Sequence, residues 1–209
     1  MRRGPGQGAL VLLNGELSCP ELVLGIARTA ACLVCADGGA RHAARLGLSP
    51  AAVIGDMDSL PKRRPNWKGT AYLCDFDEDS SDFEKALRFV LSIGASPVWV
   101  AGAFGGRLDH TLVNLSLVEK YSRNLSLCII HEGLAWLAGP GRYVLASSAG
   151  RTVSLIPASR ACTVSTKGLR YGLRRGVLRP GSRGLSNVAV STKPVVEVHR
   201  GRAWIVQPL

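Results

Sequence analysis

The chain has few aromatic residues and no long apolar segment. Phe, Trp and Tyr make up 6% of its 209 residues, and they do not alternate with basic residues as they do in many nucleic-acid-binding surfaces. The first apolar run, "ALVLL", is shorter than the core of a signal peptide and far shorter than a membrane span. We therefore expect a cytoplasmic protein with neither a membrane nor a nucleic acid as partner.

Acidic residues are nearly absent from the second half of the chain. Residues 110–209 hold 3 Asp and Glu against 14 Lys and Arg, whereas residues 1–109 hold 12 of each kind. The net charge of +11 (14 − 3) therefore belongs entirely to the second half, and all eight aspartates belong to the first. This asymmetry indicates two regions with different roles, and a basic region commonly faces an anionic partner.

The common nucleotide-binding motifs are also missing. The sequence contains neither a Walker A motif nor G-x-G-x-x-G, which argues against a standard P-loop or dinucleotide fold. It contains no internal repeat or low-complexity tract, and its 46% hydrophobic and 20% charged residues are typical of a globular protein.

Short apolar runs alternate with helical patterns up to about residue 130. Runs such as "ALVLLNG", "CLVCADGG" and "GTAYLC" predict buried strands. The segment "SDFEKALRFVLSIG" predicts a helix, because apolar residues recur every three or four positions from Phe83 to Leu91. Strands that alternate with helices predict an α/β domain with a mostly parallel sheet, which we place at residues 1–133.

After about residue 140 the pattern becomes β-rich, with Gly and Pro between the runs. The segment "HEGLAWLAGPG" supplies turn-forming residues for a boundary, and a hairpin turn is expected near Arg200 and Gly201. We expect an all-β, sandwich-like C-terminal domain at residues 134–209.

Acidic and glycine-rich segments follow four of the predicted strands. They are "ADGGA", "IGDMDS", "DFDEDSSD" and "AGAFGGRLDH". Ligands of open parallel sheets sit beyond the carboxyl ends of the strands, so these segments should meet at one edge. A capping box of Ser81 and Glu84 accounts for part of the acid, but the remaining aspartates would repel one another without a cation. Carboxylates arranged in this way suit Mg²⁺.

The glycine pairs and a few polar residues allow two interpretations each. Gly38–Gly39 and Gly105–Gly106 can admit a phosphate before a helix or can form ordinary turns. Arg107 can clamp phosphate oxygens or can be a solvated charge. Ser186 and Asn187, at a strand entry, fit specificity contacts and turn formation equally well.

Six segments, taken together and in this order, resemble the thiamin pyrophosphokinase (thiamine diphosphokinase) family. They are "ADGGA", "IGDMDSL", "DEDSSDFEKAL", "GGRLDHTLVNL", "VSLIPASRACTVSTKGLRYGL" and "GLSN", and they span about residues 35–190. The resemblance implies an α/β domain followed by a β-sandwich and a homodimer with active sites at the subunit interface. It also implies Mg²⁺-dependent transfer of a pyrophosphoryl group from ATP to the hydroxyethyl oxygen of thiamin, with release of AMP.

The resemblance also implies roles for individual residues. The Mg²⁺ and triphosphate ligands would be Asp56, Asp58, Asp77, Asp79 and Asp82. The catalytic residues would be Asp56, Asp58, Asp82 and Arg107, and the nucleotide side would be formed by Asp37, Gly38, Gly39, Gly105 and Gly106. Thiamin would contact Asp109, Ser186 and Asn187, the last two from the partner subunit. The chain departs from the family pattern at Arg41, where Asn is usual, and at Gly184, where some members have Ser.

Two other functions stay open at this point. A metal-dependent phosphohydrolase with an Asp-x-Asp nucleophile would form a phosphoenzyme, but it leaves the β-rich domain unexplained. A nucleic-acid-binding protein would use the basic second half and would show a steep salt dependence of binding.

Overall fold

A computed structural model describes residues 8–60, 66–147 and 149–209. The chain divides into two compact units with the boundary between His131 and Glu132, whereas the sequence places it after residue 133. The first residues of the predicted N-terminal domain lie outside the described part of the chain. None of the described helices is long and apolar enough to cross a membrane.

The first unit alternates strands with helices. In chain order these are β1 (Ala9–Leu12), α1 (Pro20–Ala27), β2 (Cys32–Ala36), α2 (Ala40–Arg45), β3 (Ala52–Gly55), β4 (Ala71–Cys74), α3 (Asp82–Ser92), β5 (Val98–Ala101), α4 (Leu108–Tyr121) and β6 (Leu127–Ile130). The strands pair in parallel in the order β6-β5-β1-β2-β3-β4. The predicted parallel α/β architecture is confirmed.

Burial explains the continuous apolar runs of the central strands. Every residue of β1 and β3 is buried, as expected for parallel strands that are covered on both faces. The exception is β4, whose predicted burial is wrong. Tyr72 and Leu73 are 39% and 38% exposed, because β4 is an edge strand whose one strand partner in the described part of the chain is β3.

Helix α3 anchors the acidic segment to the sheet. Phe83, Leu87 and Val90 are buried, and α3 packs against β2 and β3. Burial of each such side chain contributes roughly 1.5–3 kcal/mol. The Ser81 hydroxyl accepts a hydrogen bond from the backbone N–H of Glu84 at 3.3 Å, which is the predicted cap. The Glu84 carboxylate instead binds Lys120 on α4 at 2.6 Å, so only half of the capping box forms.

The second unit contains two antiparallel arrangements of strands. Its strands are β7 (Gly133–Ala138), β8 (Gly141–Val144), β9 (Thr152–Pro157), β10 (Cys162–Lys167), β11 (Gly176–Leu178), β12 (Asn187–Val188), β13 (Val195–Arg200) and β14 (Ala203–Pro208). One arrangement runs β12-β9-β14-β7 and the other β11-β10-β13-β8. Leu155 and Ile205 from the first and Val164 and Val196 from the second belong to one buried core. The predicted sandwich is confirmed.

Two details of the second unit differ from the sequence prediction. The turn at Arg200 and Gly201 is not a hairpin, because β13 pairs with β10 and β8 whereas β14 pairs with β7 and β9. The turn therefore carries the chain from one sheet to the other. The segment in which the sequence places the domain boundary also contains β7, which pairs with β14 along its whole length.

Candidate active site

A cleft of about 680 Å³ lies in the first unit, at the carboxyl ends of the parallel strands. This is the place where open α/β sheets bind ligands. The loops after β1, β2, β3, β4 and β5 and the start of α4 all contribute to its wall. Its lining includes Asn14, Asp37, Gly38, Asp56, Ser59, Asp77, Asp82, Lys85, Gly105, Gly106, Arg107 and Asn114. The four acidic and glycine-rich segments thus meet at one edge.

Three carboxylates come together beside this cleft. One oxygen each of Asp37, Asp56 and Asp58 lies within 4.8 Å of the other two. Local backbone geometry produces the group: Asp37 and Met57 have φ values of 35° and 70°, which non-glycine residues adopt at a cost of about 1–3 kcal/mol. The turn is held by hydrogen bonds from the Asp58 N–H to Asp56 and from the Ser59 N–H to Asp37, each 3.2 Å long.

The three carboxylates fit a hard divalent cation. Asp37 is only 3% exposed, and its Oδ1 has no hydrogen-bond partner among the residues that the structure describes. Burial, followed by the nearby charges of Asp58 and Asp56, raises the pKa of Asp37, against the hydrogen bond from Ser59. A buried carboxylate oxygen without a donor is unfavourable unless a cation binds it, and Mg²⁺ prefers carboxylate oxygens.

Asp82 extends this acidic group from the first turn of α3. Burial and then the charge of Asp37 raise the pKa of Asp82 to about 6, although Lys85 opposes the change. The charges of Asp56 and Asp58 also raise the pKa of Asp82. Carboxylates from the first three acidic segments, Asp37, Asp56, Asp58 and Asp82, therefore interact electrostatically, as expected for a site that holds a cation.

Lys85 belongs to the cleft, although the sequence gives it no role. It is 6% exposed, its Nζ donates to the carbonyl of Asp75 at 2.7 Å, and it lies 3.7 Å from Oδ1 of Asp82. Its position on α3 could have indicated a role. Lys85 lies on the buried face of the helix, between Phe83 and Ala86, where a lysine is rare without a partner. Asn14, which the sequence also leaves out, lies against Gly38.

Asp77 and Asp79 stand apart from the carboxylate group. Asp77 lines the cleft, but it forms an ion pair with Arg88 at 3.2 Å and accepts a hydrogen bond from Ser80. The hydrogen bond from Ser80, followed by the one from Arg88, lowers the pKa of Asp77. Asp79 is exposed and its N–H donates to Asp77. Metal binding by these two residues stays a prediction, whereas Asp37 occupies the position expected of a ligand.

The remaining candidate residues of the first unit have different surroundings. Gly39 is packed beneath β1, since an added Cβ would lie 2.0 Å from the carbonyl oxygen of Leu12. Arg107 and Asp109 form an ion pair of 2.5 Å with side chains 74% and 59% exposed. The hydrogen bond from Arg107 lowers the pKa of Asp109 to about 2, so Asp109 is ionised at neutral pH.

A smaller cleft of about 310 Å³ lies in the second unit, lined in part by Tyr171, Arg183, Leu185 and Asn187. Asn187 is buried, and its amide group accepts from the N–H of Tyr171 at 3.0 Å and donates to the carbonyl of Tyr171 at 2.8 Å. Its side chain therefore holds the Tyr171 segment in place. Ser186 is exposed beside it, and its N–H donates to Ser154 at 3.0 Å.

The two departures from the family pattern have local explanations. Arg41 donates from Nε to the carbonyl of Ser59 at 3.1 Å, which ties α2 to the loop that carries Asp56 and Asp58. At Gly184, with φ of 106°, an added Cβ would lie 2.3 Å from the carbonyl oxygen of Leu155. Serine would therefore not fit this backbone.

Comparison with known proteins agrees with the geometry. Residues 25–129 match the family model described as "Thiamin pyrophosphokinase, catalytic domain", and residues 143–202 match "Thiamin pyrophosphokinase, vitamin B1 binding domain". The first match contains most of the residues that line the acidic cleft, although Leu13, Asn14 and Gly15 precede it. The second match contains the smaller cleft.

Relatives and solved structures give the same result. "Thiamine pyrophosphokinase 1" of Oryza sativa subsp. japonica is 27% identical over 90% of this chain and 80% of its own length, and that of Arabidopsis thaliana is 25% identical over 95% and 85%. The crystal structure of thiamine pyrophosphokinase from Bacillus subtilis superposes with a TM-score of 0.84 at 21% identity, covering 96% of this chain and 98% of that one. The last comparison shows the fold alone. The chain belongs to the thiamin pyrophosphokinase family, whose members are ATP:thiamine diphosphotransferases.

Proposed function

We propose that this chain transfers a pyrophosphoryl group from ATP to the hydroxyethyl oxygen of thiamin at the cleft of the first unit, giving thiamin diphosphate and AMP. The observation that carries the proposal is the group of Asp37, Asp56 and Asp58 within the segment that matches the catalytic-domain family model. Phosphoryl-type transfer depends mainly on positioning and on neutralisation of oxygen charge. A group of carboxylates serves this chemistry by binding a cation.

The metal site is the first part of the proposal. Asp56, Asp58 and Asp82 would hold Mg²⁺ together with Asp37, whose Oδ1 otherwise lacks a partner among the described residues. When bound, Mg²⁺ neutralises negative charge on the phosphate oxygens. Asp77 and Asp79 would contribute from outside this group, Asp77 through its place in the cleft wall.

Arg107 and three glycines would bind the phosphates of ATP. Arg107 lines the cleft, and its exposed guanidinium keeps N–H groups for phosphate oxygens beside its two hydrogen bonds to Asp109. Gly38, Gly105 and Gly106, which also line the cleft, let a phosphate approach the backbone closely. The nucleotide would thus lie between Asp37 and Arg107, with the attacked phosphorus near the carboxylate group.

Thiamin would be bound by residues of both units. Asp109 is ionised at neutral pH, which suits a cationic substrate, and Ser186 is exposed beside the smaller cleft of the second unit. We propose a homodimer in which Ser186 and the segment held by Asn187 serve the cleft of the partner subunit. We also propose that the protein acts in the cytoplasm.

One assay tests the proposal. Purified protein with ATP, MgCl₂ and thiamin should form AMP and thiamin diphosphate in equal amounts, measured by chromatography. Release of ADP or free phosphate would instead support a phosphohydrolase and would reject the proposal.

Asp56→Asn tests the site. We expect it to lower kcat by at least about a hundredfold, because it removes one charged ligand from the carboxylate group, while the fold stays intact by circular dichroism. The matched control is Glu21→Gln, on an exposed position of α1, which should keep wild-type activity. Near-normal turnover of D56N would show that the site lies elsewhere.

A further inference from the structure

Lys85 is a buried cation beside the carboxylate group. It is the one lysine or arginine among the buried residues of the described chain. Burial of an ammonium group costs several kcal/mol unless its hydrogen bonds are satisfied. Its place near the N-terminus of α3 is also unfavourable, because the helix dipole disfavours a positive charge there. Lys85 therefore needs strong compensation.

The protein supplies only part of that compensation. An ammonium group has three N–H donors. One donates to the carbonyl of Asp75 at 2.7 Å, and Asp82 lies at 3.7 Å, which is an ion pair rather than a hydrogen bond. No other acceptor lies within hydrogen-bond distance of Nζ among the residues that the structure describes. At least one N–H is left for a group in the cleft, whose wall contains Lys85.

The position next to the carboxylates indicates what that group is. A lysine close to Asp82 repels a cation bound by the same carboxylates, which weakens metal binding in the absence of an anion. An anion that bridges the two positive charges removes this conflict. Phosphate oxygens suit both partners, since they bind Mg²⁺ and accept from lysine.

We propose that Lys85 is a binding residue for the polyphosphate, donating from Nζ to a phosphate oxygen in the cleft of the first unit. The inference rests on the proposed function for its choice of ligand, but it assigns to Lys85 a role that the sequence alone does not give it. Lys85 also holds the end of β4 through the Asp75 carbonyl, so it links the phosphate to the acidic segment that follows that strand.

Inorganic tripolyphosphate is the probe, and calorimetric titration in the presence of MgCl₂ is the measurement. We expect Lys85→Met and Lys85→Gln to weaken binding by about tenfold or more, since each removes a charge-assisted hydrogen bond. Lys85→Arg should keep most of the affinity because it keeps the charge. Lys68→Met, at an exposed position of the same unit, is the control and should bind as the wild type does. Wild-type affinity in a folded K85M or K85Q overturns the proposal.

A second measurement does not depend on the folding of a variant. In the wild-type protein labelled with ¹⁵N-lysine, tripolyphosphate should shift the Nζ resonance of Lys85 and leave that of Lys68 unchanged. Equal small shifts of both resonances would reject a direct contact. Neither experiment uses thiamin, so loss of tripolyphosphate binding in K85M together with an absence of thiamin diphosphate synthesis would reject the proposed function and support the role of Lys85.

Discussion

Asp82 shows how the surroundings of one carboxyl group determine its response to pH. Its pKa rises from 3.8 to about 6, first through burial and then through Asp37. The folded state therefore binds this proton more tightly than the unfolded state does. Stability from this group is fully present below pH 3.8 and is lost as the pH rises through about 6. Above that pH the metal-free protein carries an unfavourable, half-buried charge at Asp82.

Asp82→Asn should remove the loss of stability that accompanies ionisation of Asp82. In EDTA at pH 8 we expect D82N to exceed the wild type in unfolding free energy by about 1 kcal/mol, a value reduced for the partial exposure of Asp82. At pH 4 the two proteins should be nearly equal. Urea unfolding at both pH values measures the difference, with Asp79→Asn, at an exposed position, as the control. An equal gain at both pH values would contradict the assignment to titration.

Single residues also show the limit of prediction from the sequence. The meeting of the acidic segments follows from parallel strands alone. The parallel strands do not determine which carboxylates face one another. That arrangement depends on the positive φ values at Asp37 and Met57 and on the ion pair between Asp77 and Arg88. Lys85 is missed for a similar reason: its importance arises from burial, and a helical pattern does not distinguish a buried lysine from a solvated one.

At the scale of elements, the turn between β2 and α2 depends on close packing against β1. Gly39→Ala places a Cβ 2.0 Å from the backbone oxygen of Leu12, where no rotamer can relieve the clash. We expect a loss of at least about 2 kcal/mol in unfolding free energy. Gly25→Ala is the matched control: it lies in α1 with nothing within 4 Å of an added Cβ, and it should stabilise by up to about 1 kcal/mol. Urea midpoints measure both, and a G39A midpoint at or above that of the wild type would contradict the packing.

Local patterns predict the elements better than they predict their pairing. The helical period from Phe83 to Leu91 and the apolar runs correspond to α3 and to the strands of the first unit. The expected hairpin at Gly201 fails, because the partners of β13 and β14 are strands distant in sequence. β7 is missed because the Gly and Pro residues around it indicate turns at a domain boundary, although it pairs with β14 over its whole length. Strand partners are set by the packing of the whole unit.

At the scale of the whole molecule, the charge divides much as the fold does. The second unit, residues 132–209, holds 12 Lys and Arg and 2 Glu and so carries +10 (12 − 2) of the total of +11. Arginines 170, 174, 175, 179 and 183 are exposed and form no ion pair with a carboxylate in the described part of the chain. The fold does not require this charge, since net charge governs partners and association rather than architecture.

The proposed homodimer can be tested by mixing two inactive proteins. Asp56→Asn disables the acidic cleft of the first unit, and Ser186→Arg places a positive charge where the proposal puts cationic thiamin in the second. If each active site combines the first unit of one copy with the second unit of the other, a mixed dimer contains one intact site. After denaturation and refolding of an equal mixture, half of the dimers are mixed, so activity should recover to about a quarter of the wild-type value.

The control for this experiment is each variant refolded alone, which should stay inactive. Light scattering should give twice the 22.2 kDa mass of the chain for both variants and for the mixture. A dimer that shows no recovery would mean that each site is built within a single copy, because every D56N chain and every S186R chain would then carry its own defective site and no intact site could form by mixing.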